Sequence, residues 1–492
     1  MSNQNHTRAD VIVIGAGMAG LAASSRLTNA GLRVALVEAR NRIGGRVLTA
    51  QTASGWPVEL GAEFIHGKPP EIMDLLPRAG LKAQAISGEI WRVEGGRWAR
   101  ADRMLAREEN LLEQIRPGQR DFSFANYLRR SGNKVPAQLR SWLTAYIEGF
   151  HAADLEKISM RALVEGSKSS SEIEGDQPFR LRQGYSALAE FLLASCAAAN
   201  LQLLLSSPAH RVEWRRGRVL VSSARAILEA PCAVVTLPLT VLQSETVEFL
   251  PALKSKPSAL KKLAMGPVIR ITLEFRNRFW IRHKTGDGRK LTKLSFLFSQ
   301  DALFPTWWTH FPGPAPLITG WAASHHASHF AGHSESQICE HALTTLSRIF
   351  GIERSELQRE LRSYHIHDWQ SDPWSRGAYS YACVGGARAF QQLAKPLAQT
   401  LFFAGEATSH EHNGTVHGAI ASGYRAAHEL LLTLKKGEPM TSARQSAAAR
   451  RNIKKAASAA RRKRTIAHLS KRTRTALGKE GAKAARRKRR HS

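Results

Sequence analysis

A short apolar run that leads directly into a glycine-rich turn constrains this chain most. Residues 10–20 read DVIVIGAGMAG, and the following LAASSRLTNAG has the spacing of a helix that ends at Gly31. Four branched apolar residues in succession are typical of a strand that is buried on both faces of a parallel sheet. The sequence therefore predicts a β-turn-α unit near its N-terminal end.

The glycines of this unit have the spacing of a dinucleotide-binding turn. Gly15 permits the tight turn, Gly17 lets the backbone approach a pyrophosphate, and Gly20 lets the helix pack closely on the strand. Residues 32–40, LRVALVEAR, supply a second strand and contain Glu38, which can accept hydrogen bonds from a ribose diol. A turn without a ligand can have GxGxxG spacing, but strand, glycines, helix, strand and acid in this order predict a bound adenine dinucleotide.

The positive charge of the chain is concentrated at its C-terminal end. The 492 residues carry a formal net charge of +31, of which residues 441–492 contribute +18 with 19 Lys/Arg and the single acid Glu480. A segment with so few large apolar residues cannot bury a core, so we predict a disordered basic tail over 435–492. Three interpretations stay open: a solvated charge run, nonspecific contact with nucleic acid phosphates, or contact with an acidic membrane surface or protein.

The remaining composition indicates a protein of the cytoplasm. The four scattered cysteines have no CxxC spacing, which predicts neither a metal site nor a disulfide framework. The polar start MSNQNHTRAD lacks a signal-peptide pattern, and no apolar run reaches about 18 residues, so we expect no membrane-spanning helix. The length favours two domains with an appendage.

Further motifs occur in the order found in one known family. EARNRIGGRVLT, residues 38–49, resembles the second FAD signature of the flavin amine oxidase superfamily. The other matching segments are VELGAEFIHG (58–67), AVVTLPLTVL (233–242), DPWSRGAYSY (372–381), LFFAGEATS (401–409) and GTVHGAIASGYRAAHELL (414–431). The chain thus resembles FAD-dependent amine oxidases, and its motifs are similar to those of polyamine oxidases and the lysine-specific histone demethylase.

The resemblance implies an α/β fold with two domains. A Rossmann-type, doubly wound, discontinuous FAD-binding domain is expected from residues 8–75, 205–255 and 395–434. A mixed α+β substrate-binding domain is expected from residues 76–204 and 256–394. Within it, residues 76–200 are predicted to be mostly helical, and residues 263–300 are predicted to form strands.

The resemblance also implies noncovalent FAD. Monoamine oxidases attach the flavin through a cysteine before an aromatic residue, whereas this chain has Ala378 before Tyr379. By the same comparison, Arg46 meets the pyrophosphate and Glu406 the ribityl or pyrophosphate region. The expected FAD contacts are Gly15, Gly17, Met18, Ala19, Gly20, Glu38, Ala39, Arg40, Gly45, Arg46, Gly61, Ala62, Glu63, Phe64, Val212, Trp374, Gly405, Glu406, Thr415 and Val416.

The reaction implied by the resemblance is hydride transfer from an amine to flavin, which leaves an imine, with oxygen or another acceptor reoxidising the flavin. Presenting a neutral amine of pKa about 10.4 near neutral pH costs roughly 4 kcal/mol, and a desolvated aromatic pocket reduces that cost. Tyr379 matches one aromatic wall of the family pocket, and also fits a core tyrosine. Thr415 matches the second wall, where its small side chain implies room for a primary or secondary, polyamine-like amine.

Three other features have two interpretations each. His66 matches a position near the distal amine of polyamine oxidase substrates, and equally fits a polar loop histidine. The Glu63 side chain is expected either as a counter-charge or as a solvent-facing group. The aromatic segment TWWTHF, residues 306–311, fits a substrate funnel or a core strand.

Arg270 occupies a position where the family has a lysine that holds a water at flavin N5. The count rests on MGPVIRITLEFRNRFW, residues 265–280. Because arginine stays charged where a buried lysine can lose its proton, we expect Arg270 to hold that water but to slow reoxidation by oxygen, as in a dehydrogenase. In the alternative, Arg270 pairs with a carboxylate in the strand layer, away from the flavin.

Three function classes follow. The first is an FAD-dependent amine oxidase or dehydrogenase. The second shares the FAD frame but acts on carbon substrates, as phytoene desaturases and protoporphyrinogen oxidases do, and the segment around Tyr379 argues against it. The third is a weakly active flavoprotein that its basic tail tethers to nucleic acid. The amine, the electron acceptor, the oligomeric state and the partner of the tail are left open.

Overall fold

The computed structural model describes residues 5–102 and 120–437. The chain divides into two compact units, Met1–Leu431 and Leu432–Ser492, and of the second only residues 432–437 are described, as the end of a helix. The predicted tail and its interpretations therefore lie almost entirely outside the described residues. None of the helices in the described part is long and apolar enough to cross a membrane.

Helices of the described residues are, in chain order, α1 (Met18–Asn29), α2 (Pro70–Met73), α3 (Leu76–Ala79), α4 (Phe124–Ser131), α5 (Ala137–Phe150), α6 (Met160–Glu172), α7 (Ser186–Ala194), α8 (Leu239–Gln243), α9 (Pro257–Leu260), α10 (His325–Ser328), α11 (Glu335–Phe350), α12 (Arg354–Glu360), α13 (Ala389–Ala394) and α14 (Val416–Gly437). Helix α11 shows how the sequence sets such bounds. Ser334 and Gln337 form a capping box at its start, and Gly351 ends it in the left-handed conformation.

Strands of the described residues are β1 (Asn5–Arg8), β2 (Val11–Ile14), β3 (Val34–Val37), β4 (Thr49–Gln51), β5 (Pro57–Glu59), β6 (Phe64–His66), β7 (Ala83–Ala85), β8 (Glu89–Glu94), β9 (Arg97–Arg100), β10 (Pro178–Leu181), β11 (Leu201–Leu204), β12 (Ala209–Arg215), β13 (Arg218–Ser223), β14 (Ala226–Ala230), β15 (Cys232–Val235), β16 (Glu248–Leu250), β17 (Leu263–Gly266), β18 (Val268–Phe275), β19 (Leu294–Ser299), β20 (Thr306–Thr309), β21 (Leu317–Ala323), β22 (Leu361–Ile366), β23 (Tyr379–Ala382) and β24 (Leu401–Phe403).

A five-stranded parallel sheet positions the glycine turn. Its order is β11-β3-β2-β15-β24. Every residue of β2, β3, β15 and β24 is buried, as their continuous apolar sequences predict. Strand β11 belongs to this sheet, although its residues were assigned to the substrate domain. The domain boundary predicted at residue 205 therefore falls too late in the chain, while the wider division into two domains stays a prediction.

The two faces of the parallel sheet are covered by different layers. Helix α1 packs on β2, β3 and β15. On the other face, Ile12 and Ile14 join an apolar cluster with Val212 and Val221 of a second sheet, whose order is β1-β14-β13-β12-β16. The doubly wound prediction, with helices on both faces, is therefore wrong for this face. Branched apolar residues suit such sheet-on-sheet packing as well as they suit a helical layer, so the sequence pattern did not separate the two.

A seven-stranded sheet forms the centre of the remaining fold, in the order β22-β18-β21-β20-β19-β8-β9. Its strands confirm the strand prediction for residues 263–300, and the buried Trp307 on β20 shows that the segment TWWTHF supplies core. The helical prediction for residues 76–200 holds for α3 to α7 but is wrong for β7 to β10, and residues 103–119 of this range lie outside the described residues. The six-residue β8 joins the large sheet because it pairs with β19 and β9.

Helix α14 crosses α1 at a point where only glycine fits. A Cβ atom on Gly423 would lie 2.2 Å from the carbonyl oxygen of Ala19. Because backbone atoms cannot move aside as a flexible side chain does, the two helices would have to separate. The contact holds α14 close to the glycine turn at the start of α1.

We expect Gly423→Ala to lower the free energy of unfolding by about 1–3 kcal/mol, the usual cost of overpacking. The matched control is Gly166→Ala on α6, where an added Cβ meets nothing within 4 Å. That substitution should raise stability by about 0.5–1 kcal/mol, because glycine is unfavourable inside a helix. Thermal unfolding of both variants measures the difference. Equal melting temperatures of Gly423→Ala and the wild type would contradict this close crossing.

Candidate active site

The turn between β2 and α1 has the geometry of an anion site. Gly15 has a φ of +103°, and a Cβ on Gly20 would lie 1.9 Å from the Gly15 carbonyl oxygen. A Cβ on Gly17 would meet nothing nearer than 3.9 Å, so the backbone there is open to a ligand. No side chain caps α1, whose first residues are Met18 and Ala19, so its N-terminal N–H groups can bind a pyrophosphate.

Glu38 lies at the end of β3, beside this turn, and is only 4% exposed. Its Oε2 accepts a hydrogen bond from Ala16 N at 2.7 Å, and its Oε1 accepts one from Arg40 N at 2.9 Å, across Ala39. These two bonds fix the carboxylate at the carboxyl edge of the parallel sheet. That position is the one expected for an acid that binds a ribose diol.

Arg40, which follows β3, is hydrogen-bonded to the loop formed by residues 372–378. Its NH2 donates to Asp372 Oδ1 at 2.6 Å, and the Trp374 backbone N–H donates to the same oxygen at 2.9 Å. Burial alone would raise the pKa of Asp372, but hydrogen bonds from His367 and Arg40 hold it well below its ordinary value. Asp372 is the first residue of the segment DPWSRGAYSY, but the sequence pattern alone indicates no role for it.

A cavity opens at the carboxyl ends of β15 and β24. It is lined by Arg46 and by residues 235–239 and 403–408. Arg46 NH1 donates to Glu406 Oε1 at 3.0 Å and to the Ala378 carbonyl at 2.7 Å. The structure therefore brings together two predicted cofactor residues that lie 360 positions apart in the chain.

Glu406 also connects the cavity to the start of α14. Its Oε2 accepts hydrogen bonds from Ser380 Oγ at 2.5 Å and from Gly414 N at 3.0 Å. The preceding Gly405 has a φ of +124°, which an L side chain rarely adopts. Glu406 therefore joins β23, the loop before α14 and Arg46 through a single carboxylate.

The N-terminus of α14 faces the predicted aromatic wall. Thr415 Oγ1 accepts a hydrogen bond from Gly418 N at 3.0 Å, which caps the helix before its first residue, Val416. A Cβ on Gly414 would lie 3.4 Å from the Tyr379 ring, so Tyr379 lies beside this helix start. The positive end of a helix stabilises negative charge placed there.

Tyr379 is held in a fixed orientation. Its hydroxyl donates to the Phe150 carbonyl at 2.7 Å, and burial raises the pKa of that hydroxyl above its ordinary value. The ring therefore remains neutral and cannot turn away without losing the bond to the end of α5. This orientation suits a wall residue, and the wall role itself stays a prediction.

Neutral histidines surround the same region. His66 lies on β6 rather than in the loop that we expected, and its ring contacts the edges of Phe64 and Phe150. Burial lowers the pKa of His66 to about 4, and burial together with His66 lowers the pKa of His151 to about 4. His417, in the first turn of α14, has its pKa lowered to about 3 by burial and by neighbouring histidines.

Glu63 is the centre of a buried ionic cluster. Its Oε1 accepts from Arg180 Nε at 2.6 Å, and its Oε2 accepts from Arg270 NH2 at 2.5 Å and from Trp308 Nε1 at 3.1 Å. Burial would raise the pKa of Glu63, but the two arginines and His310 lower it to about 2. The carboxylate is therefore a counter-charge and does not face solvent.

Arg270 pairs with a carboxylate, but that carboxylate is Glu63 in the loop before β6 and not one in the strand layer. It is 5% exposed, and its NH1 donates to the Gly61 carbonyl at 2.9 Å. Its guanidinium lies 5.6 Å above the Trp308 ring. Its Nε is buried without a protein partner, which leaves one donor for a water or a cofactor atom. The approach of Arg270 to the flavin stays a prediction.

The other predicted contacts lie in fixed backbone. A Cβ on Gly45 would lie 3.1 Å from Gly17 Cα, and a Cβ on Gly61 would lie 1.9 Å from the Arg46 carbonyl oxygen. Ala62 N donates to that carbonyl oxygen at 3.2 Å. Val212 lies in the middle of β12 with its side chain buried between the sheets.

Several residues of the site were missed by the sequence analysis. Arg180 follows no recognisable motif and reaches Glu63 only because β10 pairs with β6. Trp308 and His310 belong to a segment that was quoted for its aromatic residues alone. His417 lies in the segment TVHG, residues 415–418. A histidine in the first turn of a helix at the cofactor site was the pattern that could have predicted its place in the site.

These features together fit FAD. The open glycine turn and uncapped helix suit a pyrophosphate, Glu38 suits a ribose, and a cavity lies beside Arg46 and Glu406. The buried, unpartnered Nε of Arg270 is a donor without an acceptor in the protein. Each of these groups is one that a bound dinucleotide would satisfy.

Comparisons with known proteins identify the family of this chain. Residues 18–431 match the family described as flavin containing amine oxidoreductase. Polyamine oxidase 3 of Oryza sativa subsp. japonica is 28% identical, with 87% of this chain and 90% of that protein covered. Lysine-specific histone demethylase 1 homolog 3 of Arabidopsis thaliana is 27% identical over 88% of this chain, which spans only 30% of that protein. Lysine-specific histone demethylase 2 of Homo sapiens is 27% identical, and this chain spans 53% of it.

Two solved structures share the fold. Putrescine oxidase has a TM-score of 0.73 at 21% identity, with 87% of this chain and 100% of that chain covered. Cyclohexylamine oxidase from Brevibacterium oxydans has a TM-score of 0.72 at 21% identity, with 87% and 99% covered. The family match extends over most of the chain, and the geometry of the glycine turn fits its cofactor. The chain therefore belongs to the flavin-containing amine oxidoreductase family and is an FAD-dependent amine oxidoreductase.

Proposed function

We propose that this enzyme oxidises a primary or secondary amine to an imine with noncovalently bound FAD. The observation that carries the proposal is the buried cluster of Glu63, Arg180 and Arg270, which has a net positive charge. A series of ring contacts leads from it to the residue that holds Tyr379. When bound, FAD supplies the acceptor for the hydrogen and the two electrons that leave the amine carbon. The chain itself binds the amine, excludes water and sets its protonation state.

The charge of the cluster favours the neutral amine. Glu63 contributes one negative charge, whereas Arg180 and Arg270 contribute two positive charges, and the lowered pKa values of the nearby histidines keep their rings uncharged. A buried site with a net positive charge raises the free energy of an ammonium ion and lowers its pKa. The uncharged amine is the form whose nitrogen lone pair can assist loss of hydrogen from the adjacent carbon.

Aromatic contacts connect the cluster to the wall. The Phe64 ring lies 5.4 Å from the Trp308 ring, and Arg180 lies 5.5 Å from Phe64. His66 joins Phe64 to Phe150, whose carbonyl holds the Tyr379 hydroxyl. We infer that this series of ring contacts excludes water from the alkyl chain of a bound amine.

The breadth of substrate follows from Thr415. A threonine at the start of α14 occupies less space than an aromatic residue would, which supports access for a secondary or branched amine. The names of the relatives refer to polyamines, putrescine, cyclohexylamine and lysine, which supports an amine substrate over the carbon substrates of desaturases. A polyamine-like chain is the substrate that we would test first.

Replacement of Glu38 or Glu406 by alanine should weaken FAD binding by about tenfold or more, because a hydrogen bond to a charged group contributes about 1.5–3 kcal/mol. Fluorescence titration of the apoprotein with FAD measures this change. The control is Glu213→Ala on β12, which removes an acid that pairs with Arg211 near the surface. Wild-type FAD affinity in both site variants would contradict the assignment of the dinucleotide site.

Acid precipitation should also release all of the FAD, because Ala378 offers no thiol for a covalent bond. Flavin that remains in the washed pellet would contradict noncovalent binding.

Arg270→Lys should speed the return of yellow colour in air and leave anaerobic bleaching by amine nearly unchanged. The reason is that a lysine in this desolvated position can exchange its proton, whereas arginine cannot. Stopped-flow absorbance follows both phases. Arg180→Lys is the matched control, because Arg180 pairs with the same Glu63 carboxylate from β10. Equal effects of the two variants, or no effect of Arg270→Lys, would show that Arg270 acts only through its ion pair.

The anaerobic bleaching rate should rise with pH until the bound amine is neutral, about tenfold per pH unit below the amine pKa. His66 should not produce this rise, because burial holds its pKa at about 4 and its ring is already neutral above pH 6. His66→Gln should therefore keep the shape of the profile between pH 6 and 10. Loss of the pH dependence in this variant would assign the titrating group to His66 and contradict our account.

A further inference from the structure

Three metal-ligating side chains meet outside the active site. Glu148 lies near the end of α5, and His325 and His326 are the first residues of α10. One ligand atom from each of them lies within 4.8 Å of the others. Among the described residues, no other group of three His, Cys, Asp or Glu side chains meets this condition. The active site uses none of these side chains.

The two histidines are oriented as ligands usually are. His326 Nδ1 lies 2.7 Å from the Ala302 carbonyl oxygen, which fixes the proton on Nδ1 and leaves a lone pair on Nε2. A backbone carbonyl on the second ring nitrogen is a common partner of a metal-bound histidine. His325 Nδ1 lies 2.9 Å from Glu148 Oε1, so these two ligand atoms already face each other.

The spacing of the two rings also suits a bound cation. The two imidazole rings lie 3.9 Å apart between centroids, so two imidazolium charges would repel each other, whereas two neutral rings can both bind one ion.

The donor set selects the class of metal. Two imidazole nitrogens and one carboxylate oxygen, with a fourth position open to water, form a ligand set typical of zinc. Calcium and magnesium prefer all-oxygen sites, so they should bind here weakly. We propose that Glu148, His325 and His326 bind a zinc-class divalent cation at a site that joins α5 to the start of α10.

The location suggests what the ion would stabilise. Trp321 Nε1 donates to the Gly149 carbonyl, and Ser324 Oγ donates to the Ala153 carbonyl, each at 2.9 Å. The metal would strengthen the contact that His325 and Glu148 already make between these two segments. Phe150, two residues beyond Glu148, holds the Tyr379 hydroxyl through its carbonyl. The ion would therefore fix the end of α5 that supports the aromatic wall, without contact with the reacting groups.

Zinc binding tests the proposal on the tag-free holoenzyme after chelator treatment. Isothermal titration with Zn²⁺ should show one equivalent bound to the wild type, and zinc should raise the melting temperature, because a ligand that binds only the folded state stabilises it. His326→Ala and Glu148→Gln should each reduce zinc affinity by at least the roughly 10–100-fold that loss of an outer partner of a ligand causes. Mg²⁺ should produce no comparable shift.

The matched control is His333→Ala, which removes a histidine from the same stretch of sequence. His333 lies against Phe330 and His341 and is outside the proposed ligand group, so this variant should bind zinc as the wild type does. His325→Ala, at a side chain that is 56% exposed, provides a ligand variant with little risk to folding. Wild-type zinc affinity in His325→Ala, or failure of the wild type to bind one equivalent, would overturn the proposal.

Cysteine spacing alone predicts no metal site in this sequence. The histidines of SHHASHFAGH, residues 324–333, were the signal, since histidine-rich tracts are a recognised metal-binding pattern. The third ligand, Glu148, lies far away in the chain and becomes visible only when β21 and α5 are packed together.

Discussion

The carboxylate of Glu63 is the constraint on which the arrangement of the active site depends. It is buried, and a buried charge is tolerated only when partners surround it. Those partners come from three separate elements: Arg180 on β10, Arg270 on β18 and Trp308 on β20. The loop from Gly61 to Glu63 also packs directly against Arg46. A Cβ atom on Gly61 would collide with the Arg46 carbonyl oxygen, so the two backbone segments can approach only at a glycine. One ionic cluster therefore joins the large sheet to the loops that follow the parallel sheet.

A second carboxylate organises the other side of the site. Glu406 accepts from Arg46, Ser380 and Gly414, and so joins the cavity at the sheet edge to β23 and to the start of α14. Arg46 contacts both parts of the site. Its carbonyl oxygen accepts a hydrogen bond from Ala62 N, next to Glu63, and its guanidinium donates one to Glu406. The N-terminus of α14 lies beside Tyr379, and the cluster around Glu63 carries one more positive than negative charge. Both effects stabilise negative charge and disfavour an ammonium ion.

The sequence predicted local features well and distant pairings poorly. Gly15, Gly20 and the strand before them have one structural solution, because the turn and the close packing of helix on strand leave no room for another residue. The layer that covers the second face of the parallel sheet was mistaken for helices, because Val212 and its neighbours show the same apolar pattern in either case. Arg180 could not be assigned at all. Its role depends on the register of β10 against β6, which no local pattern specifies.

The arginine at position 270 requires the buried carboxylate that lies beside it, and that carboxylate requires the arginine. A lysine buried at this position could become neutral, whereas an arginine keeps its charge and needs a permanent counter-charge. Glu63 supplies that charge, and burial of the pair would be unfavourable unless the remaining donors and acceptors were also satisfied. The Gly61 carbonyl accepts a hydrogen bond from Arg270, and the Trp308 indole donates one to Glu63. Arg180 donates to the second carboxylate oxygen of Glu63. In the function that we propose, arginines rather than a lysine supply the positive charge of this site, so control of protonation would fall on the substrate itself.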